Sequence, residues 1–211
     1  MRGRYDGGDG SLTGGRIVTP VETFIGKTIM SSRKWKTIES RRLHATPIFD
    51  LIQHHRQHPS RGRHDFYVLS APNWINIIPL TPEEEVVMVR QYRHGIEDLT
   101  LEVPGGMVDP GEDPMTAARR EMLEESGYGA NEIVAIGKVH PNPAIQANYC
   151  FSFLARDVRK LTKPEQNGAE ETEVVTVPLV RIKDMIAGGE ITHALTITAF
   201  SFFQFYNSGR F

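Results

Sequence analysis

From about Trp35 onward, apolar residues come in short bursts dominated by β-branched and aromatic side chains. PIFDLIQ, DFYVLS, WINIIPL and EVVMVRQYR predict four strands, parted by the turn-forming HPSRGRH, APN and TPEEE. Connections this short favour antiparallel neighbours. Beyond the loop VPGGMVDPGED the period changes. Asp113 as N-cap, Pro114 at the first helical position and Gly127 as a stop predict a helix over residues 114–126. EIVAIGKV, ANYCFSFLA and EVVTVPL predict further strands, with helices near residues 182–187 and from about 194 to 206. Strands mixed with a few helices, without strict alternation, imply an α/β fold in which helices flank a mixed or antiparallel sheet.

The first fifteen residues hold six glycines and little that can pack, so residues 1–30 are expected to be a flexible leader outside the fold. Residues 31–211 are expected to form a single domain, with N-terminal antiparallel strands over 31–70. The 24 basic and 26 acidic side chains give a formal net charge of -2. No global basic field exists to hold nucleic acid or an anionic membrane, so neither is expected as a partner. Cys150 is the sole cysteine, which excludes an intrachain disulfide framework and fits a reducing, cytoplasmic compartment. No stretch approaches the roughly 20 apolar residues of a membrane span.

On a helical wheel, Met115, Ala118 and Met122 share a face expected to look into the core. Glu121, Glu124 and Glu125 fall within an arc of about 100° beside it. Arg120 can pair with Glu124, but one guanidinium does not neutralise three carboxylates. A divalent cation does, and an all-oxygen donor set without nearby Cys or His favours Mg²⁺, with Mn²⁺ as substitute. Magnesium shares its shell readily with phosphates, so this cluster suits phosphoryl chemistry. Taken alone, the three glutamates are more readily read as a solvated acidic helix face.

The neighbouring residues shift that balance. From Gly106, five residues intervene before Glu112 and seven more before Arg120, and the run continues Glu121, Met122, Leu123, Glu124, Glu125, Ser126, Gly127, Tyr128. This resembles the box of the Nudix hydrolases at nine specified positions over residues 106–128, Tyr128 filling the last apolar place loosely. The resemblance implies an α/β/α sandwich with a mixed sheet and a metal-dependent hydrolysis of a pyrophosphate bond. It implies Glu121 and Glu125 as the main metal ligands, Glu124 as an additional one, and a carbonyl of Gly105 or Gly106 turned to the ion. Glu125 and Arg120 count among the catalytic candidates, Arg120 and Glu112 holding the ligating carboxylates in place. Gly105 and Gly106 suit that role because a backbone oxygen can approach an ion only where side chains are absent and unusual φ/ψ is tolerated.

Upstream, VRQYRHGIEDLTLEVPGG is similar to the run before the box in ADP-ribose and nucleotide-sugar pyrophosphatases, and Pro143 lies close to the proline that marks the ADP-ribose subgroup. The expected substrate is therefore ADP-ribose or another nucleoside diphosphate sugar, with Arg90, Arg93, Glu102 and Pro143 as substrate-binding candidates. Their spacing puts Arg90 and Arg93 on opposite faces of a regular strand. PNPAIQANYCF lacks the acidic residue many relatives place after that proline, so the general base is sought in KPEQNGAEETE: Glu170 or Glu171 first, then Glu165 and Glu173. The subgroup also implies a homodimer in which the strands of residues 31–70 help build the partner's site. A coenzyme A or dinucleotide pyrophosphatase is the nearest alternative, and a non-catalytic nucleotide-sugar sensor is the alternative from another class. His54, His55 and His58 are read as solvated surface histidines, the last in a turn, and Trp74, Tyr92 and Phe66 as core residues.

Overall fold

A computed structural model describes residues 34–165 and 172–209. Residues 34–40 and 54–66 belong to one compact unit, residues 41–53, 67–165 and 172–209 to another. The expected leader lies outside the described residues.

Three antiparallel strands, β1 (Lys36–Ala45), β2 (Asp50–His58) and β3 (Gly62–Ser70), form a sheet in the order β1-β2-β3. The sequence pattern did not single out β1, because its only large apolar residues, Ile38 and Leu43, stand among charged ones and are exposed. Within the smaller unit, the Trp35 ring lies 5.0 Å from His58, 5.5 Å from His64 and 5.0 Å from Phe66. His58 is therefore buried at the end of β2, at 6% exposure, and is not the solvated turn histidine expected. The ring that covers it comes from the far side of β1, beyond the reach of local patterning. His54 meets the Ser40 hydroxyl at 2.8 Å, and His55 pairs with Asp65.

The larger unit holds a seven-stranded sheet made of β4 (Trp74–Leu80), β5 (Glu85–Arg93), β6 (Asp98–Glu102), β7 (Gly105–Met107), β9 (Ile133–Val139), β10 (Cys150–Arg156) and β12 (Thr172–Pro178). Its helices are α1 (Pro114–Ser126), α2 (Ile182–Ala187) and α3 (Ala194–Ser208), and β8 (Tyr128–Gly129) pairs with β11 (Arg159–Lys160) in a separate ladder. The main order is β12-β5-β4-β10-β9. The short APN connection suggests that β3 and β4 are neighbours, but they belong to different sheets. Ile75 to Leu80 are all buried, and a strand covered on both faces belongs mid-sheet, where β4 runs parallel to β10 with Trp74 opposite Cys150.

The feature that builds the site is a fork. β4 and β5 pair at Leu80 opposite Val86, then diverge. β6 fills the β5 side of the gap, from Val89 opposite Glu102 to Arg93 opposite Asp98, while β7 fills the β4 side, with Asn76 opposite Gly105 and Ile75 opposite Gly106. At the crotch, Ile77 N–H donates to Pro104 O at 2.9 Å. Part of the loop expected over residues 103–113 is thus sheet.

Alternation along the strands splits the core. Ile75, Ile77, Val87, Phe153 and Ala155 pack against Ala117, Ala118 and Met122 of α1. Ile78, Leu80, Val86, Met88 and Leu154 pack on the other face with Ile182, Met185, Ala199, Phe200 and Phe203 of α2 and α3. This is an α/β/α sandwich with a mixed sheet. Cys150 is buried at the head of β10, and burial pushes its thiol up to about 12. The Asp113 carboxylate accepts from Met115 N and Thr116 N, and Gly127 closes α1 at φ 74°. Met115, expected in the core, is 39% exposed, because the inward arc of α1 is centred farther round the wheel, on Ala117, Ala118, Met122 and Ser126.

Candidate active site

At about 100° per residue, Glu121 and Glu125 fall between Ala117 and Ala118 on the wheel of α1, on its inward half. Alanine at 117 and 118 lets the helix lie close to the sheet. There the two carboxylates meet β7: Gly105 N–H donates to Glu125 Oε2 at 2.9 Å, and the Glu121 carboxylate lies where a side chain at Gly106 would stand. A Cβ at Gly105 would collide with Ile75 O and the Asn76 side chain. Neither glycine has a positive φ, so absent bulk and not conformational freedom is what both positions require. The need for absent side chains is as expected there, and the unusual backbone is corrected.

Arg120 gathers the acidic groups. Its guanidinium forks onto Glu112, Nε to Oε1 at 3.1 Å and Nη2 to Oε2 at 2.9 Å. Nη1 donates to Glu121 Oε1 at 2.8 Å and Glu124 Oε2 at 3.3 Å, and Nη2 reaches Met107 O at 3.0 Å. The Glu112 hydrogen bonds push Arg120 above its ordinary range against a smaller effect of burial, with Glu121 adding to the rise. Those bonds also hold Glu112 below the usual carboxylate range. With Arg120 among the carboxylates of Glu112, Glu121, Glu124 and Glu125, and Asp109 4.0 Å from Nη2, the cluster stays net negative and presents only hard oxygen donors. Among the described residues, no three acidic, histidine or cysteine side chains close on a single point tightly enough to enclose an ion. Glu121 and Glu125 reach the same Gly-Gly backbone, which suits an ion completing its shell with water and substrate oxygens.

The substrate-binding candidates divide. Arg93 forks onto Glu102, Nε to Oε1 at 2.7 Å and Nη2 to Oε2 at 2.6 Å, while Arg90 pairs with Glu173 at 2.6 Å. They lie on opposite faces of β5, as the spacing predicts. Glu102 is 1% exposed and far from a solvated strand end. Burial alone would raise its carboxyl, but hydrogen bonds from Arg93 and His193, the His193 charge and the Thr100 hydroxyl together hold it at about 2. Sequence reasoning missed His193 and Thr100; the only local signal was a histidine in the N-cap position of an apolar helix. Pro143 is exposed, in a loop pinned where Leu69 N–H donates to Ile145 O at 2.8 Å. Of the core aromatics expected, Trp74 and Phe66 are half-buried, but Tyr92 is 48% exposed beside His94 because the end of the β5–β6 hairpin is open on that face.

Glu165 N–H donates to Glu124 O at 2.7 Å, and Leu161 and Thr162 donate to Gly127 O. The acidic segment therefore leaves from the C-terminal end of the glutamate helix and returns at Thr172, opposite Gln91 of β5. Glu170 and Glu171 lie outside the described residues.

The NUDIX domain matches residues 72–198, a span that takes in the fork, α1 and the start of α3. The chain belongs to the Nudix family. An ADP-ribose pyrophosphatase of Bacillus subtilis (strain 168) is 27% identical to this Nudix chain over 176 residues, covering 83% of it and 95% of the relative. The ADP compounds hydrolase NudE of Escherichia coli (strain K12) is 28% identical over 128 residues, 59% of this chain and 66% of its own. A crystal structure of an ADP compounds hydrolase superposes with a TM-score of 0.74 at 22% identity, covering 84% of this chain and 96% of that one, and so shares the Nudix fold.

Proposed function

We propose that this Nudix enzyme hydrolyses the pyrophosphate bond of ADP-ribose or another nucleoside diphosphate sugar, releasing a nucleoside monophosphate and a sugar phosphate. The observation that carries the reading is the placement of Glu121 and Glu125 against Gly105 and Gly106, bracketed by Arg120. Glu121 and Glu125, with Glu124 and the Gly105 carbonyl, would hold Mg²⁺, or Mn²⁺ in its place. When bound, such an ion supplies charge neutralisation for the diphosphate and polarises a water.

Arg120 keeps the carboxylates aimed, so little reorganisation remains for the reaction itself. Arg90 or Arg93, from one face of β5 or the other, engages the diphosphate or the second sugar, helped by Glu102 and by the Pro143 loop. Glu170 or Glu171 takes a proton from the attacking water. The support is that the segment carrying them is tied to Glu124 at one end and to β5 at the other. The enzyme works as a homodimer whose N-terminal strands complete the partner's site. Its compartment is the cytoplasm, consistent with a lone buried cysteine; among the described residues no helix is long and apolar enough to cross a membrane.

The test is monophosphate release from ADP-ribose, ADP-glucose, GDP-mannose, coenzyme A and a dinucleotide, each with added magnesium. Preference for a diphosphate sugar is expected, and release from none of them overturns the proposal. Preference for coenzyme A or the dinucleotide keeps the chemistry but replaces the substrate. Alanine at Glu170 and Glu171, read as rate against pH, tests the base, and light scattering is expected to give twice the chain mass.

A further inference from the structure

Among the described residues, Glu102 is the one buried carboxylate, and it lies outside the box on a strand that ends three residues before Gly105. Burying a charge is costly unless it is fully paired. The Arg93 fork already meets both Glu102 oxygens, yet two further groups converge on them. The Thr100 hydroxyl donates to Oε1, and His193 Nδ1 stands 2.9 Å from Oε2. His193 belongs to a different element, the N-cap position of α3, and is 27% exposed.

The same imidazole nitrogen lies 3.0 Å from Thr196 Oγ1, and that hydroxyl accepts from Val103 N–H at 3.3 Å. The first turn of α3 therefore grips both the Glu102 side chain and the backbone immediately after it. From Val103 the chain has little freedom left. Pro104 fixes its own φ and its carbonyl accepts from Ile77, and Gly105 N–H then meets Glu125. Contacts run from His193 to Glu102 and on to Arg93 on one side, and from His193 through Thr196 to Val103, then along the backbone to Gly105 and its bond to Glu125, on the other. Anchoring α3 does not need this arrangement, since Ala199, Phe200 and Phe203 already hold the helix to the sheet.

We infer that His193 is a positioning residue for the hydrolysis, setting the aim of Arg93 through Glu102 and the seat of the Val103–Gly105 turn beneath Glu125 through Thr196. The inference rests on the function proposed above. A shift of about 1 Å in a group aimed at the reacting phosphates costs on the order of a hundredfold in rate. Losing one charge-assisted hydrogen bond of a multiply held carboxylate gives a smaller effect.

The experiment compares the full chain with His193→Ala and His193→Asn, whose amide can replace the Nδ1 donor. Melting temperature, kcat and KM are measured on ADP-ribose at saturating magnesium. His193→Ala is expected to lower kcat/KM about tenfold, in kcat as well as KM, well below its melting temperature, and His193→Asn to recover most of the loss. A purely structural role would lower the melting temperature and leave the rate constants unchanged. That result, or a loss that asparagine does not repair, overturns the inference while the functional reading stands. A wild-type chain inactive on every diphosphate tried overturns both.

Discussion

The two adjacent glycines of β7 make opposite predictions. A Cβ at Gly106 would lie 2.5 Å from Glu121 Cδ and 2.7 Å from Oε2. Ordinary contact begins about 1 Å farther out, and the obstruction is the tip of a flexible side chain, so the carboxylate swings aside and the strand stays. Gly106→Ala thus loses the 2.8 Å bond from Arg120 to Glu121, about 1 kcal/mol. A reduced unfolded-state entropy offsets roughly 0.4–1 kcal/mol of it. Stability is nearly unchanged, yet a ligand carboxylate displaced by about 1 Å should cost on the order of a hundredfold in kcat. At Gly105 the obstruction is Ile75 O, part of the central strand. Gly105→Ala must push β7 off β4, costing about 1–3 kcal/mol, roughly 2–12 °C in Tm for a chain of this size. Thermal denaturation by circular dichroism and turnover of ADP-ribose, read as AMP release, separate the two. A Gly106→Ala enzyme within threefold of wild type would refute the placement of Glu121 in the reaction.

Arg120→Lys keeps a positive charge but loses the fork on Glu112 and the reach to three other oxygens. It should lower kcat/KM by about a hundredfold while costing about 1–3 kcal/mol in urea denaturation. Glu102 is held at about 2 when folded against an ordinary 4.5. Its stabilisation is complete above pH 4.5 and lost as pH falls toward 2, about 3 kcal/mol in all. Glu102→Gln should be less stable at neutral pH and show a flatter acid limb between pH 4.5 and 2; parallel limbs would contradict the burial argument. Met122→Ala, at a fully buried position of α1, should cost about 2–5 kcal/mol in urea denaturation, with kcat near wild type at low temperature.

The helix of the site could be read to the residue because Asp113, Pro114 and Gly127 are local signals, and cap chemistry acts over a few residues. Strands β4 and β5 were equally clear, being long apolar runs. The fork was not, because DLTLE and GGM are too short and too mixed to carry a period. Their pairing is dictated by how β4 and β5 diverge, which is a tertiary fact. The buried state of Glu102 was hidden for the same reason: its partners Arg93 and His193 stand 9 and 91 residues away. Arg120 was identified as the organiser of the acidic cluster, but its bond to Met107 O depends on a strand the sequence does not announce.

Cys150 gives the central sheet a built-in reporter. The chain carries one thiol, buried at the head of β10 and in register with Trp74. With its proton held to about pH 12, alkylation at neutral pH requires the parallel pair to part and admit reagent. The labelling rate of the intact enzyme thus counts excursions in which the middle of the sheet opens, without any engineered probe. A bound diphosphate that bridges β7 and α1 should slow that count.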